Sequence, residues 1–315
     1  MKNYRTAGLI LILFAVGVLL SFLIYNAGEN NPRESFRSRP RNSEKPGGVF
    51  PQRIVCLAPS VAEAVFALGC GERVVGVSSF CDYPPQAREK LNLGGYINPD
   101  FERLQAVQPD LVIMQGKLEK VIRFCRRNNI DLLQVEMSDI KTIEQDLRSI
   151  GAALGCREQA EKLCNTIDGQ LKQIQLKLAG VKRKRVFLSL FRQPGSLKGL
   201  STAGGNTFLS ELIEIAGGEN IFADVCQDYP TVSKESLIKR QPEVILEPCQ
   251  EGELSEEQMN RSRLDWQILP ALPAVKNGEI HFLKENDLLK PGPRVAQAAG
   301  LLAKILHPEV AINVQ

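Results

Sequence analysis

The sequence predicts an α/β protein with two lobes, each a parallel sheet flanked by helices, joined by one long α-helix and preceded by a transmembrane helix. Three observations carry that prediction. Short β-rich runs alternate with helical segments from residue 53 to 154 and again from 185 onward, the order that a parallel sheet with helices on its faces requires. Between these regions lies one uninterrupted segment whose apolar residues fall on a single helical face. One phrase is also written twice, as "FERLQAVQPDLVIM" at 101–114 and "KESLIKRQPEVIL" at 234–246. Glu102, Leu104, Gln108 and Pro109 recur as Glu235, Leu237, Gln241 and Pro242, at a constant offset of 133 residues.

Residues 7–25, "AGLILILFAVGVLLSFLIY", are nineteen residues without a charge. At ~1.5 Å per residue they span roughly 28 Å, close to the hydrocarbon thickness of a bilayer. An uncleaved anchor is expected over 1–25. A cleaved secretory signal is the alternative, disfavoured by the length of the apolar run and by an exit, "IYNAGENN", without a small-x-small site. Basic residues stand on both sides of the span, Lys2 and Arg5 before it and Arg33, Arg37, Arg39 and Arg41 after it, so sidedness stays open. Residues 26–52, rich in Asn, Pro, Arg, Ser and Gly, read as a flexible tether.

The first lobe occupies 53–155. "RIVCL" is its first strand, followed by a helix over 60–69 that Ser60 and Glu63 would open as an S-x-x-E capping box and Gly69 and Gly71 would stop. "RVVGVS" comes next. Asn98 is the expected cap of the helix bearing Glu102, with Pro99 at its first position. "DLVIM", a helix over 117–128, "DLLQV" and a helix over 140–154 complete the lobe. In the inter-lobe segment, 156–180, Ala160, Cys164, Ile167, Leu171, Ile174 and Leu178 are spaced by three and four, one face of a helix roughly 35 Å long at ~1.5 Å per residue. The basic run at 182–185 is its solvated exit. The second lobe, 181–315, runs through "RVFLSL", a helix over 206–216 closed by Gly217 and Gly218, a helix over 234–240 capped by Ser233, "EVILE", a helix around 256–262, "EIHFL" and a last helix from Pro293.

Composition removes several function classes. A net charge of +3 that includes 36 acidic residues gives no basic surface for nucleic acid. The eight cysteines make no C-x-x-C pair, and His281 and His307 stand far from any paired ligand pattern, so no metal site and no cofactor is expected. Cys56 with Cys81, or Cys226 with Cys249, are candidate disulfides in an oxidising compartment, but sequence leaves the pairing open. "GCGERVVG" at 69–76 follows a helix and enters a strand, the reverse of a dinucleotide fingerprint. There is no G-x-S-x-G and no Walker lysine, so no catalytic residue is assigned; an enzyme on a doubly wound fold is the remote alternative.

Candidate functional residues follow from position. Glu102 and Glu235 lie in first helical turns, where the helix dipole keeps a carboxylate ionised and exposed. Two such carboxylates on equivalent lobes make a pair of docking points for a two-fold partner, each able to take an arginine. Ligands of open α/β sheets collect beyond the carboxyl ends of the strands, which selects loops 58–60, 79–83, 115–116, 190–192 and 286–290. Phe80, Tyr83, Tyr96, Phe191 and Tyr229 can supply aromatic walls there.

The stretch "RIVCLAPSVAEAVFALGCGERVVGVSSFCDYPPQAR", supported by "GGENIF", "LPAVKNG" and "PGPR", resembles the substrate-binding proteins of bacterial cobalamin and iron-chelate ABC importers over about residues 53–308. The resemblance implies Rossmann-like lobes, a monomer at the periplasmic or extracytoplasmic face, and a ligand held between the lobes. It implies cleft contacts from Pro59, Phe80, Tyr96, Gln115, Leu190, Tyr229, Asn286, Asp287, Leu288 and Lys290. Glu102 and Glu235 would engage arginines of a permease dimer that carries ATPase subunits. "DYPPQA" favours the cobalamin branch, whereas the tryptophan that such clefts often use is missing, the single Trp266 standing in a structural context. A ferric siderophore or haem is the alternative ligand. An anionic chelate would need converging cations, for which Arg192, Lys198, Lys290 and Arg294 are the candidates.

Overall fold

β1 (Ile54–Cys56) lies at the centre of a five-stranded sheet, paired in parallel with β2 (Val74–Val77) on one side and β4 (Leu111–Gln115) on the other. β3 (Leu91–Asn92) and β5 (Asp131–Val135) complete the order β3-β2-β1-β4-β5. A second sheet is built from β6 (Lys184–Leu188), β7 (Gly218–Asn220), β8 (Val244–Cys249) and β9 (Ile280–Lys284), in the order β7-β6-β8-β9, and is also parallel throughout. These strands belong to a computed structural model that describes residues 50–249, 255–284 and 290–312. The expected membrane helix, residues 26–49 of the tether, and the expected cleft residues Asn286, Asp287 and Leu288 lie outside the described residues.

Helices cover both sheet faces, which is why the central strands are apolar on both sides. Alternate residues serve different cores: Ile54 and Cys56 face the central one, while Val55 and Leu57 face an outer one shared with Leu104, Val112 and Met114. In the first lobe the helices are α1 (Pro59–Ala67), α2 (Phe101–Ala106), α3 (Glu119–Arg127) and α4 (Ile140–Leu154). The inter-lobe helix is α5 (Arg157–Lys177), 21 residues long. The second lobe adds α6 (Phe208–Ile215), α7 (Lys234–Arg240), α8 (Glu256–Trp266), α9 (Pro273–Lys276) and α10 (Val295–Leu306).

The apolar face read from the spacing of α5 is the face that is buried: Ala160, Cys164, Ile167, Leu171 and Ile174 all join the central core. That core runs without a break from Ile54 in the first sheet, through α4 and α5, to Val186 and Leu246 in the second sheet and to α10. α4 turns back onto α5 at Gly155, which adopts the left-handed conformation at φ 77°. The crossing is tight, since a Cβ on Gly151 would sit 2.4 Å from that of Ala160.

Two local expectations are overturned. Ser60 and Glu63 form no capping box: Pro59 opens α1, Ala58 is its N-cap without a side-chain bond, and both polar side chains are drawn into other contacts. Asn98 is not the cap of α2. Asp100 is, accepting from the backbone N–H groups of Glu102 and Arg103 at 3.0 Å, so the helix starts two residues later than expected from Pro99. Ser233 caps α7 as expected, accepting from Ser236 N–H at 3.2 Å.

Candidate functional site

Two of the expected cleft residues, Tyr96 and Gln115, are joined by a hydrogen bond at the carboxyl end of the first sheet, and Pro59 places a third residue, Ser60, against them. Pro59 fixes the first turn of α1 just after β1, which brings Ser60 Oγ to 2.8 Å from Gln115 Oε1 at the end of β4. Gln115 Nε2 donates to the Glu136 carbonyl at 3.1 Å, and the Tyr96 hydroxyl donates to the Gln115 carbonyl. Burial pushes the Tyr96 phenol up to about 12, so it stays a donor at any physiological pH. Gln115 is thereby held from both ends of its amide and through its main chain.

The loop after β2 forms the exposed rim. Phe80 takes a left-handed backbone, φ 72°, uncommon for an aromatic residue, and its ring is 43% exposed. A depression of about 380 Å³ lies beside it, lined among others by Ser78, Phe80, Asp82 and Asn92. Tyr83 is 44% exposed and lies beneath the guanidinium of Arg294, 4.1 Å from ring centroid to Cζ.

The chain that follows β9 brings the second lobe onto this rim. Lys290 Nζ lies 2.5 Å from Asp82 Oδ1 and 3.5 Å from the Phe80 carbonyl. Arg294 grips Glu63 with two parallel bonds of 2.8 and 2.9 Å, the Glu63 side chain being only 2% exposed. Two further bonds cross the same boundary, from Phe208 N–H to the Ser138 carbonyl and from Ile140 N–H to Glu211 Oε2, each 2.9 Å. Of the second-lobe candidates, Leu190 and Tyr229 are half-buried and pack, as Tyr96 does, against the central core. Leu190 N–H donates to the Ser201 carbonyl at 2.9 Å, and burial raises the Tyr229 phenol.

Three of the four cations expected to receive an anionic ligand are instead matched by carboxylates, while the fourth, Lys198, is exposed. Arg192, 5% exposed, contacts Glu247 at 3.0 Å and Asp265 at 2.7 Å, while the Trp266 indole N–H donates to Glu247 at 2.9 Å. Lys290 has Asp82 and Arg294 has Glu63. Asp82 and Glu63 lie within "DYPP" and the S-x-x-E pattern, but their roles are not legible there, because the pairs span about two-thirds of the chain and leave no local spacing to find.

Glu102 and Glu235 both project from first helical turns and are exposed. The backbone N–H of Glu235 and the Ser233 hydroxyl hold its carboxyl below the usual range. The cysteines expected in disulfides are free thiols where described: Cys56 is buried, Cys81 faces Ser78 Oγ at 3.5 Å, and Cys226 is exposed. The side chain of Cys249 lies outside the described residues.

Two parallel-sheet lobes on one continuous helix, with the strand-end loops of the first lobe touched by the chain returning from the second, define a two-lobed binding protein. The chain belongs to the periplasmic binding protein family, whose model matches residues 54–286. It is therefore a binding protein and not an enzyme. A vitamin B12-binding protein of Pectobacterium atrosepticum is 28% identical over 257 residues, 79% of this chain and 86% of that one. Another, from Salmonella typhimurium, is 31% identical over 204 residues, 64% of this chain and 74% of that one. Among solved structures, the periplasmic vitamin B12-binding protein of Vibrio cholerae superposes with a TM-score of 0.69 at 26% identity, covering 82% of this chain and 97% of that one. The periplasmic haem-binding protein of Roseiflexus sp. RS-1, in apo form, does so with a TM-score of 0.70 at 25% identity, covering 82% and 98%.

Proposed function

We propose that the chain is the substrate-binding component of an ABC importer and that it captures a corrinoid between its lobes. The observation that carries this reading is the charge balance of the candidate cations: Lys290 and Arg294 at the rim, and Arg192 buried within the second lobe, are each committed to a carboxylate. A ferric siderophore or the propionates of haem would have to displace those partners, and separating a buried pair is costly. A corrinoid is a wide ring edged with amides. It asks for aromatic and apolar contact with a few polar groups, which Phe80, Tyr83, Tyr96 and Tyr229 suit. The vitamin B12-binding relatives favour the same ligand.

Pro59, Phe80, Tyr96, Gln115, Leu190, Tyr229 and the 286–290 loop are the proposed contacts. Because the lobes share one core through α5, closure on the ligand is a small rotation rather than a wide hinge movement. Glu102 and Glu235 present one carboxylate per lobe to the arginines of a two-fold permease. An anchor at 7–25 would keep the binder at the extracytoplasmic membrane surface and raise its concentration near the importer.

Haem is the second reading, favoured by the exposed Tyr83, whose phenol oxygen is of the kind that ligates haem iron. Calorimetric titration of the purified chain with cyanocobalamin, a ferric siderophore and haem separates the readings. Saturable 1:1 binding of cyanocobalamin alone supports the proposal. Haem binding with a shifted Soret band, abolished by Tyr83→Phe, transfers the assignment to haem.

A further inference from the structure

Cys70 and Cys156 stand 86 residues apart in the chain, yet their sulfurs are 3.6 Å from each other. Both side chains are almost fully buried, at 4% and 5% exposure. Cys70 closes the turn after α1, its N–H bonded to the Val65 carbonyl at 3.0 Å, and Cys156 is the residue on which α5 begins, its N–H bonded to the Gly151 carbonyl at 2.8 Å. Arg73 ties the same two segments independently by donating to the Leu154 carbonyl at 2.9 Å. The two backbones are thus fixed with the thiols already in contact. The sulfurs have to close from 3.6 Å to the ~2.0 Å of a covalent S–S bond.

We propose that Cys70 and Cys156 are a disulfide pair, closed when the chain matures in an oxidising compartment, and that the bond pins the start of the inter-lobe helix to the first lobe. The other described thiols are placed differently: Cys56 and Cys125 are buried, Cys81 faces a serine hydroxyl, Cys164 donates to the Glu144 carbonyl at 3.6 Å, and Cys226 is exposed.

The pair also divides the chemistry unevenly. A hydrogen bond from the Cys156 thiol lowers the Cys70 thiol to about 7, with Arg73 adding to the effect, so Cys70 is the sulfur that ionises first. Its thiolate attacks the disulfide of the oxidant, a dithiol–disulfide exchange protein or small-molecule disulfide of that compartment, and expels one oxidant thiolate. Cys156 then loses its proton and displaces the second oxidant sulfur from Cys70. Two protein thiols give up two protons and two electrons, and the oxidant's disulfide becomes two thiols. Burial means that the exchange runs before packing is complete or through local opening of the turn.

The test is thiol mapping of the full chain after incubation with oxidised glutathione, alkylation in denaturant and trypsin digestion. The expected product is peptide 54–73 joined to peptide 149–157, with fragmentation placing the alkyl label on Cys56 and the link on Cys70. Thermal unfolding of the oxidised chain should lie about 5–10 °C above that of the reduced chain. Cys70→Ser and Cys156→Ser should each abolish that difference, and Cys226→Ser should keep it. Recovery of Cys70 and Cys156 both alkylated, or a link from Cys56, overturns the proposal. So does a Cys156→Ser chain that retains the oxidant-dependent shift. If a serine variant does not fold, the mapping of the unaltered chain decides alone.

Discussion

Asp110 accepts the backbone N–H of Arg53 at 3.0 Å, and 133 residues further along Glu243 accepts that of Arg185 at 2.9 Å. The arginines return the contact in kind. Arg53 donates its guanidinium to the Val107 carbonyl at 2.7 Å, and Arg185 to the Arg240 carbonyl at 2.5 Å. Gln108 and Gln241 both turn through the left-handed region, at φ 43° and 45°. The repeated Gln-Pro-acid sequence is therefore a repeated joint, fastening the end of one helix to the first strand of its lobe. Leu104 and Leu237 are fully buried beneath it. Of the shared phrase, only Glu102 and Glu235 reach solvent without serving the joint.

The joint makes a stability prediction. Asp110→Ala frees two backbone donors, Gln52 N–H and Arg53 N–H, at an exposed site where water can partly replace the carboxylate. A loss of about 1 kcal/mol is expected, and a similar loss for Glu243→Ala. Urea unfolding measures it. Ligand titration of the same variants should be unchanged.

The two exposed glutamates should behave in the opposite way. Glu102→Lys and Glu235→Lys should leave the unfolding midpoint within about 0.5 kcal/mol of the parent, because neither carboxylate is buried. Ligand affinity should also hold, while uptake through the reconstituted permease falls by ten-fold or more, roughly the 1.4 kcal/mol or more that one exposed charge pair per lobe commands when replaced by repulsion. Undiminished uptake by the double variant would remove the docking role.

The frame of the molecule was legible in the sequence because it rests on local periodicity. The spacing in α5 named its buried face residue by residue, and 140–154 and 234–240 are helices with the expected bounds. The short strands β3 and β7 escaped, since two or three residues carry no period and their place at the sheet edges is set by neighbours. Ser60 and Glu63 show why the site was harder. Their spacing fits a cap, but Pro59 removes the need for one, and their partners Gln115 and Arg294 stand 55 and 231 residues away. A long-range pair leaves no trace in local spacing.

That long-range pair gives the third prediction. Glu63→Ala removes the carboxylate that grips the Arg294 guanidinium at the lobe boundary, where the Arg294 side chain is 15% exposed and lies over Tyr83. Removing one partner of a buried pair costs about 3–5 kcal/mol. Thermal unfolding should register a marked loss for Glu63→Ala. A loss within error of zero would mean that water reaches Arg294 freely.

The rim aromatics and the Gln115 anchor should separate by role. Phe80→Ala removes an exposed ring and should weaken corrinoid binding about ten-fold with little effect on stability. Tyr96→Phe keeps the ring but loses the bond to the Gln115 carbonyl, so its expected effect is about 1 kcal/mol on stability and a few-fold on affinity. Tyr229→Ala opens space in the central core and should cost both. Calorimetry paired with urea unfolding distinguishes the three patterns, and unchanged affinity for Phe80→Ala would remove it from the contact set.

The lobe boundary also carries a pH signature at Glu211, whose carboxylate on α6 accepts the first N–H of α4, that of Ile140, at 2.9 Å. Burial raises its pKa above the ordinary 4.5, the Ile140 N–H opposes that shift, and nearby Asp139 adds to it. With the folded pKa above the unfolded one, the folded state binds more protons between the two values. The group's contribution is then full below the unfolded pKa and is lost as pH rises through the folded one. Glu211→Gln keeps an amide oxygen for Ile140 but cannot titrate. The stability of the parent relative to this variant should therefore decline between pH 4.5 and neutrality, while Glu211→Ala, which leaves Ile140 N–H without its acceptor, should cost about 1–2 kcal/mol throughout. Urea unfolding at a series of pH values reads both effects. A parent that gains on Glu211→Gln as pH rises would show that the N–H bond, and not burial, governs this carboxylate.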